Sequence, residues 1–215
     1  MKPLSQYIDH TILKAEATEV DVKMLCKEAM ENNFYAVCVN SCHVALAVKE
    51  LKGTAIKVAS VVGFPLGASL SQAKAKEAEL AASLGAEEID MVINIGALKE
   101  GRYDYVIEDI VSVVEAAGKY GAIVKVILET CLLTDEEIVK ACQLSEASGA
   151  AFVKTSTGFS TDGANAHHVK LMKNTVGDRL SVKASGGIRD KAKALEMIEA
   201  GADRIGASAS VEICK

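Results

Sequence analysis

Short runs rich in β-branched residues alternate along the chain with longer amphipathic stretches. The short runs, such as IKVASVVGF, EEIDMVIN and IVKVILET, are mostly apolar on both faces, which is typical of parallel strands covered by helices on each side. In the longer stretches, such as SLSQAKAKEAELAASLG and LTDEEIVKACQLSEASG, apolar residues recur three and four positions apart, as on one face of a helix. The pattern predicts strands that alternate with amphipathic helices.

A small residue closes each helical stretch a few positions before the next strand. From Gly53 onward these positions are 32, 36, 28, 28 and 24 residues apart, which suits one strand, one helix and two loops. Helix starts are predicted at Ser69 or Ser71 and at Thr134, where Glu137 completes a capping-box spacing. The predicted helix ends are Asn33, Gly53, Gly85, Gly121, Gly149, Gly177 and Gly201.

Counting these units predicts the fold. Seven strands follow the helix ends, and YIDHTI near the N-terminus supplies an eighth. Eight strand-helix units without a second domain predict one α/β domain over residues 1–215, folded as a closed (β/α)8 TIM barrel. The alternative is an open doubly wound sheet. No G-x-G-x-x-G fingerprint follows the first strand, so a dinucleotide site is not indicated.

Composition narrows the range of partners. Half of the residues are hydrophobic but only 4% are aromatic, so we expect an aliphatic core. The formal net charge of −5 repels polyanions, which argues against nucleic acid or an acidic membrane surface as a partner. No apolar run approaches ~18 residues, and the N-terminus lacks the apolar segment of an export signal. We therefore expect a cytoplasmic protein.

Cysteine and histidine spacing predicts no metal site. The six cysteines include no C-x-x-C pair and are expected to stay reduced. Cys38 and Cys42, with His43 beside them, have no second pair of ligands at a useful spacing. His167 and His168 are adjacent, so on a helix they point about 100° apart, and we expect them on the surface and not on one ion. The sequence predicts neither a metal nor a cofactor.

Several charged residues stand inside otherwise apolar strands. Because strand side chains alternate between faces and the helix layer is apolar, a charge in mid-strand is expected to face the barrel lumen near its open, C-terminal mouth. Crowding and burial both favour the neutral form of an amine, and a neutral amine is a nucleophile. We therefore expect a functional cluster in the lumen. Its predicted members are Lys57, Asp90, Lys125, Lys154 and Lys183.

Glycines follow the last two strands. The strand VKAS runs into Gly186 and Gly187 before a helix that begins near Asp190, and the last strand contains Gly206 and ends near Ser208. Backbone N–H groups of such loops, together with a helix N-terminus, are a common phosphate site of these barrels. Gly158, directly after KTST, supplies another candidate donor. The substrate is therefore expected to be a phosphorylated metabolite.

These residues resemble a known family along nearly the whole chain. The motifs are IDHTIL, KVASVVGFPLG, EIDMVINIGAL, KVILET, FVKTSTGF, VKASGGIR and RIGAS. They are similar to the deoxyribose-phosphate aldolases, which are class I, Schiff-base aldolases on a (β/α)8 barrel. The pairing of KTSTG with KASGG is the most specific part of the likeness.

The resemblance implies a reaction and assigns roles. It implies reversible cleavage of 2-deoxy-D-ribose 5-phosphate to D-glyceraldehyde 3-phosphate and acetaldehyde, a step of deoxyribonucleotide catabolism, without metal or cofactor. The lysine of KTSTG, Lys154, would form the imine, Lys183 would depress its pKa, and Asp90 would join a proton relay. A homodimer would be ordinary for the family. The implied substrate and phosphate contacts are Asp9, Thr11, Thr157, Gly158, Gly186, Gly187, Gly206 and Ser208.

Three other functions stay open on the sequence alone. Another Schiff-base barrel enzyme, such as a transaldolase-like or keto-acid aldolase, would share the lysine but take a different donor. A catalytically silent barrel would use the lysines only as anion ligands. An isomerase with a carboxylate base is less favoured, because Glu129, the strand-end carboxylate, has no clear partner in the sequence.

Overall fold

The structure is a computed structural model that describes residues 2–215. Within that range eight parallel strands form a closed barrel in sequence order, which confirms the predicted (β/α)8 fold and rules out the open sheet. The strands are β1 (Ile8–Thr11), β2 (Ala36–Val39), β3 (Lys57–Val62), β4 (Glu88–Val92), β5 (Ile123–Ile127), β6 (Phe152–Lys154), β7 (Ser181–Ser185) and β8 (Arg204–Ala207).

Helices follow every strand and surround the barrel. Among those in residues 2–215, none is both long and apolar enough to cross a lipid bilayer. They are α1 (Glu19–Asn32), α2 (Val44–Glu50), α3 (Ser71–Ser83), α4 (Ile95–Lys99), α5 (Tyr103–Gly118), α6 (Asp135–Ala147), α7 (Ala166–Val176), α8 (Lys191–Glu199) and α9 (Ser210–Cys214).

The helix boundaries follow the predicted signals closely. Every predicted helix end has a positive φ, from 52° at Asn33 to 112° at Gly201. Thr134 and Glu137 form the predicted capping box of α6, and the Asp190 side chain caps α8. Helix α3 begins at Ser71 without a side-chain cap. The sequence therefore predicted the alternation of the elements and most of their ends.

Two apolar clusters hold the barrel together. The larger one fills the space between the strands and the surrounding helices and includes Ile8, Val37, Ile89 and Val126. The smaller one consists of Leu13, Cys38, Ala59 and Val61 with Phe64 packed on it. Because strand side chains alternate in direction, Cys38 points to the side opposite Val37, into the lumen. The lumen wall is thus apolar around β2 and β3 and charged elsewhere.

Lys57 does not lie with the other charged residues that were predicted to face the lumen near the mouth, so that part of the prediction was wrong. Lys57 is the first residue of β3 and therefore lies at the amino end of the barrel, away from the mouth. Its side chain is 41% exposed and forms an ion pair with Glu87 at 2.5 Å. Lys57 lies on the same face of β3 as Ala59 and Val61, but at the end of the strand, where its side chain reaches solvent.

A buried ion pair joins α3 to α5 outside the lumen. The side chains of Lys74 and Asp109 are both fully buried, 2.5 Å apart. Lys74 Nζ also donates to the Val92 carbonyl oxygen at 2.9 Å. Asp109 Oδ1 has no hydrogen-bond partner among the described residues. The carboxylate of Asp109 therefore depends on Lys74 for its charge compensation.

Lys74→Met is expected to lower the free energy of unfolding by about 3–5 kcal/mol, because it leaves the Asp109 carboxylate buried and unpaired. Urea titration followed by circular dichroism measures the change. The double variant Lys74→Met/Asp109→Leu should recover most of the loss, since no buried charge then remains. Lys76→Met, at an exposed position of the same helix, is the control and should change stability by less than about 0.5 kcal/mol. A single variant as stable as the control would contradict this account.

Candidate active site

Asp90 lies at the centre of the charged side of the lumen. It is the middle residue of β4, fully buried. Its Oδ2 accepts hydrogen bonds from Lys154 Nζ and from Lys183 Nζ, each at 2.8 Å, and its Oδ1 accepts one from Lys125 Nζ at 2.6 Å. One carboxylate therefore holds the three lysines that were predicted from their mid-strand positions.

Strand register explains why these groups meet. Lys154 on β6 is the register partner of Lys183 on β7, and Asp90 on β4 is the register partner of Lys125 on β5. Residues at one level of neighbouring parallel strands point the same way. Lys154 is the last residue of its strand, so its amine lies nearest the mouth.

The charged network continues to the opposite end of the lumen. Asp9 contacts Lys183 directly and accepts from Arg204 Nη1 at 2.7 Å. Arg204 also pairs with Glu88 at 3.2 Å, and Glu88 pairs with Lys125 at 2.6 Å. The contacts close into a ring to which Lys154 is attached. We call these buried residues the lumen cluster: Asp9, Glu88, Asp90, Lys125, Lys154, Lys183 and Arg204.

The pKa values of the lysines in the cluster are shifted in opposite directions. Burial lowers the pKa of Lys154, and the nearby ammonium of Lys183 adds to the effect, so that pKa falls below its ordinary value although Asp90 opposes the change. Burial also acts on Lys183, but the carboxylates Asp9 and Asp90 outweigh it and raise its pKa. The pKa of Lys125 is raised in the same way, since Asp90, Glu88 and Asp9 together outweigh the effect of its burial.

The carboxylates respond to the same cations. Burial by itself would raise the pKa of Asp90, but the three lysines around it outweigh that effect and hold the pKa well below its usual value. Burial likewise opposes ionisation of Asp9, yet Lys183, Lys125 and Arg204 hold its pKa low. The cluster therefore contains ionised carboxylates and one amine that is poised to lose its proton.

A cavity of about 310 Å³ opens above Lys154 at the mouth of the barrel. It is lined by most of the predicted contact residues: Thr11, Thr157, Gly158, Gly186, Gly187, Gly206 and Ser208. Asp9 is not among its lining residues, because its carboxylate lies beneath the cavity in the lumen cluster. Asp9 forms an ion pair with Lys183 there, and its contact with a substrate stays a prediction.

Two glycines of the cavity have no room for a side chain. Gly186 has φ of +83°, and a Cβ there would lie 3.0 Å from the Gly163 Cα. A Cβ on Gly206 would lie 3.0 Å from the Lys183 Cε. A side chain at Gly186 would press on the loop after β6, and one at Gly206 would press on Lys183 of β7.

Two cations at the cavity were not among the predicted site residues. Lys14 and Arg189 line it together with Lys154. Arg189 follows the Gly186–Gly187 turn after one intervening residue, Ile188, and this closeness to the turn is the signal that could have identified it. Lys14 lies in the loop after β1, where the strand pattern carries no information. Both place positive charge where an anionic group of a ligand would lie.

Glu129 has a partner that the sequence does not reveal. It is buried, and its φ of 58° is in the left-handed region, which is strained for a residue with a side chain. Its Oε1 accepts the Thr157 N–H at 3.2 Å, and its Oε2 accepts the Thr157 hydroxyl. The Thr157 hydroxyl oxygen in turn accepts the Phe159 N–H at 3.1 Å. Glu129 thus holds the loop that follows Lys154.

An aromatic pair covers one side of the mouth. The rings of Phe64, after β3, and Phe159, after β6, meet edge to face with their centroids 5.3 Å apart. Phe159 also lines the cavity and is half exposed. The loop held by Glu129 therefore carries both polar and apolar contacts of the cavity.

The expectation that His167 and His168 point apart was wrong. Ligand atoms of both rings and of Asp135 lie within 4.8 Å of one another, because the two residues occupy the first turn of α7 opposite the start of α6. One nitrogen of each ring is already engaged. His167 Nε2 pairs with Asp135 at 2.7 Å, and His168 Nδ1 accepts from the Asn165 amide at 3.0 Å. His167 and Asp135 are exposed, as predicted for a surface group.

Comparison with known proteins agrees with the likeness seen in the motifs. A sequence model described as DeoC/LacD family aldolase matches residues 4–214. The deoxyribose-phosphate aldolase of Clostridium tetani is 62% identical over 211 residues, 98% of this chain and 97% of the relative. That of Aciduliprofundum boonei is 59% identical over 212 residues, 99% of this chain and 96% of the relative.

A solved structure has a fold similar to that of this chain. The deoxyribose phosphate aldolase from Aeropyrum pernix, described as a unique tetramer, superposes with a TM-score of 0.92 at 34% identity, over 98% of this chain and 89% of that one. The structural match and the sequence matches both extend over nearly the whole chain. With its motifs and its fold accounted for together, this chain belongs to the DeoC/LacD family of aldolases.

Proposed function

We propose that this protein is a class I aldolase that reversibly cleaves 2-deoxy-D-ribose 5-phosphate to D-glyceraldehyde 3-phosphate and acetaldehyde through an imine on Lys154. The arrangement of Lys154 carries the proposal: its amine lies at the mouth of the barrel, its pKa is lowered, and the cavity opens directly above it. The names of the relatives from C. tetani and A. boonei support the choice of substrate.

Lys154 acts as the nucleophile in this mechanism. Its neutral amine adds to the C1 aldehyde of the open-chain sugar, and loss of water leaves an iminium ion. The positively charged nitrogen withdraws electrons from C2, which prepares the C2–C3 bond for cleavage. Lys183 supports this step because its ammonium, held by Asp9 and Asp90, remains charged beside Lys154 and favours the neutral form of that amine.

Asp90 and Lys183 form the proton relay. As the C2–C3 bond breaks, its electrons form an enamine on Lys154, the C3 hydroxyl proton leaves to the relay, and D-glyceraldehyde 3-phosphate is released. The relay then returns a proton to C2 of the enamine, and water hydrolyses the resulting iminium to acetaldehyde and free Lys154. Asp90 suits this role because its Oδ2 lies 2.8 Å from both amines.

The phosphate group is placed at the glycine loops. Gly158, Gly186 and Gly187 line the cavity, where their backbone N–H groups are the proposed donors to the phosphate, and Arg189 and Lys14 add positive charge. Lys154 lines the same cavity and would receive the aldehyde end of the sugar.

The oligomeric state stays a prediction. A homodimer was expected from the resemblance, while the relative from A. pernix is described as tetrameric. Cytoplasmic location likewise stays a prediction from the sequence.

Borohydride reduction in the presence of deoxyribose 5-phosphate is expected to label Lys154, because reduction traps the imine as a stable secondary amine. Peptide mass mapping identifies the labelled residue. Lys154→Ala should lose acetaldehyde production, whereas Lys170→Ala, at an exposed position of α7, should keep it. Substrate binding without a trapped lysine would instead support a silent sugar-phosphate-binding barrel, and a label on another lysine would contradict the assigned nucleophile.

Lys183→Leu is expected to raise the pKa of Lys154, because it removes the adjacent like charge. The acid limb of the pH profile of kcat/KM should move to higher pH, and turnover at neutral pH should fall. Lys170→Leu is the matched surface control. An unchanged profile in the Lys183 variant would show that the two amines are not coupled.

Glu129→Gln is expected to raise the KM for deoxyribose 5-phosphate about ten-fold, because one hydrogen bond from Thr157 to a charged acceptor is lost. Steady-state kinetics with the phosphorylated and unphosphorylated sugars measures the effect, which should be larger with the phosphorylated sugar. Glu136→Gln, at an exposed position of α6, is the control. If the Glu129→Gln and Glu136→Gln variants had equal KM values for deoxyribose 5-phosphate, Glu129 would not contribute to substrate binding.

A further inference from the structure

The lumen cluster contains an uneven number of charges. Its three carboxylates face four basic groups, so the fully ionised cluster has a net charge of +1 in a buried environment. Removing one proton from a basic group makes the cluster neutral. Because a net charge is expensive to bury, the count of charges favours one neutral amine.

Contacts decide which basic group gives up its proton. Arg204 does not deprotonate in proteins. Lys183 has a carboxylate on each side, Asp9 and Asp90, and Lys125 has Glu88 and Asp90, each at 2.6 Å. Lys154 has a single carboxylate oxygen, Asp90 Oδ2, which it shares with Lys183. Of the basic groups in the cluster, Lys154 therefore holds its proton most weakly.

Glu88 and Arg204 contribute to this balance from the far end of the lumen. Each is the first residue of its strand, β4 or β8, whereas Lys154 is the last residue of β6. Their ion pairs go to each other, to Asp9 and to Lys125. Arg204 also stacks on Tyr35, with its Cζ 3.6 Å from the ring centroid. Both groups are thus fixed in place as the part of the ring that lies at the amino ends of the strands.

We propose that Glu88 and Arg204 are positioning residues that set the protonation state of Lys154 through the net charge of the lumen cluster, without touching the substrate. The proposal rests on the proposed function, in which Lys154 is the nucleophile. Arg204 is one of the four cations that give the fully ionised lumen cluster its net charge of +1, and Glu88 is one of the three anions that oppose them. Their removal therefore has opposite effects on the same amine.

Other groups face Lys154 but leave the count unchanged. Cys38 of β2 faces it across the lumen, and burial raises the pKa of that thiol, so it stays neutral. Lys14 and Arg189 line the open cavity above it, where solvent screens their charges. The Glu129 carboxylate is turned toward Thr157 in the loop after β6. The groups that couple to Lys154 through buried contacts belong to the lumen cluster.

Substitution at the two positions gives a signed prediction. Glu88→Gln removes an anion, so the neutral form of Lys154 is favoured further and its apparent pKa falls. Arg204→Gln removes a cation while keeping amide donors for Asp9, so the pKa rises. Each shift should be about one pH unit, because two unit charges ~12 Å apart interact by about that much at an effective dielectric constant of ~20.

The experiment measures the pH at which borohydride trapping with acetaldehyde is half-maximal, in the full-length protein. The half-maximal pH should fall in Glu88→Gln, rise in Arg204→Gln, and return to the wild-type value in the double variant, where two carboxylates again face three cations. Glu87→Gln is the matched control. It neutralises the adjacent residue, which is exposed and paired with Lys57, and should leave the midpoint unchanged.

The outcomes separate this inference from the proposed function. If acetaldehyde traps no lysine in the wild-type protein, the proposed function fails. If Lys154 is trapped but the single variants shift the midpoint in the same direction or not at all, the charge-balance inference is wrong. Should Arg204→Gln fail to fold, as judged by circular dichroism, Glu88→Gln decides alone: a downward shift supports the inference, and an unchanged or raised midpoint overturns it.

Discussion

Buried charge compensation is the constraint on which this structure depends. The barrel encloses seven ionisable side chains in a space lined by Phe152, Ala59 and Val61, with little solvent to screen them. Each carboxylate therefore has to lie within hydrogen-bond distance of more than one cation, and the strands must keep a register that brings these partners together. The pairing of β6 with β7 and of β4 with β5 meets that demand. The same register leaves Lys154 as the amine with the fewest anionic contacts.

The surrounding layers allow such a costly interior to exist. The apolar cluster between the strands and the helices is far larger than the small apolar cluster inside the lumen. Since apolar burial supplies most of the favourable free energy of folding, the stability of this barrel comes mainly from its outer layer. The lumen can therefore contain charged side chains that contribute little to stability. Loops after the strands, such as the one held by Glu129 and Thr157, supply the side chains that line the cavity at the mouth.

Much of this arrangement could be predicted from the sequence, for reasons that particular residues make clear. Lys154, Lys183 and Asp90 stand in mid-strand runs whose other face is apolar, so alternation alone places them in the lumen. Arg204 and Glu88 begin their strands, where a charge is equally compatible with a solvent-exposed end, as Lys57 demonstrates. Glu129 could not be paired with Thr157, because the contact depends on the conformation of two loops. The approach of His167 and His168 to Asp135 could not be predicted either, because it depends on how α7 packs beside α6.

The ring of ion pairs also ties chemistry to the completion of folding. Arg204 reaches Asp9 across 195 positions of sequence, and Lys183 reaches it across 174. Contacts this distant form only when β8 closes on β1, and non-local closure is a late and slow event in chains of high contact order. Before closure, Asp9 has neither partner, and Lys183 lacks one of its two carboxylates. A partly assembled chain consequently lacks the ion pair between Asp9 and Lys183, so in the proposed mechanism Lys154 gains its complete charged surroundings only after the first and last strands have met.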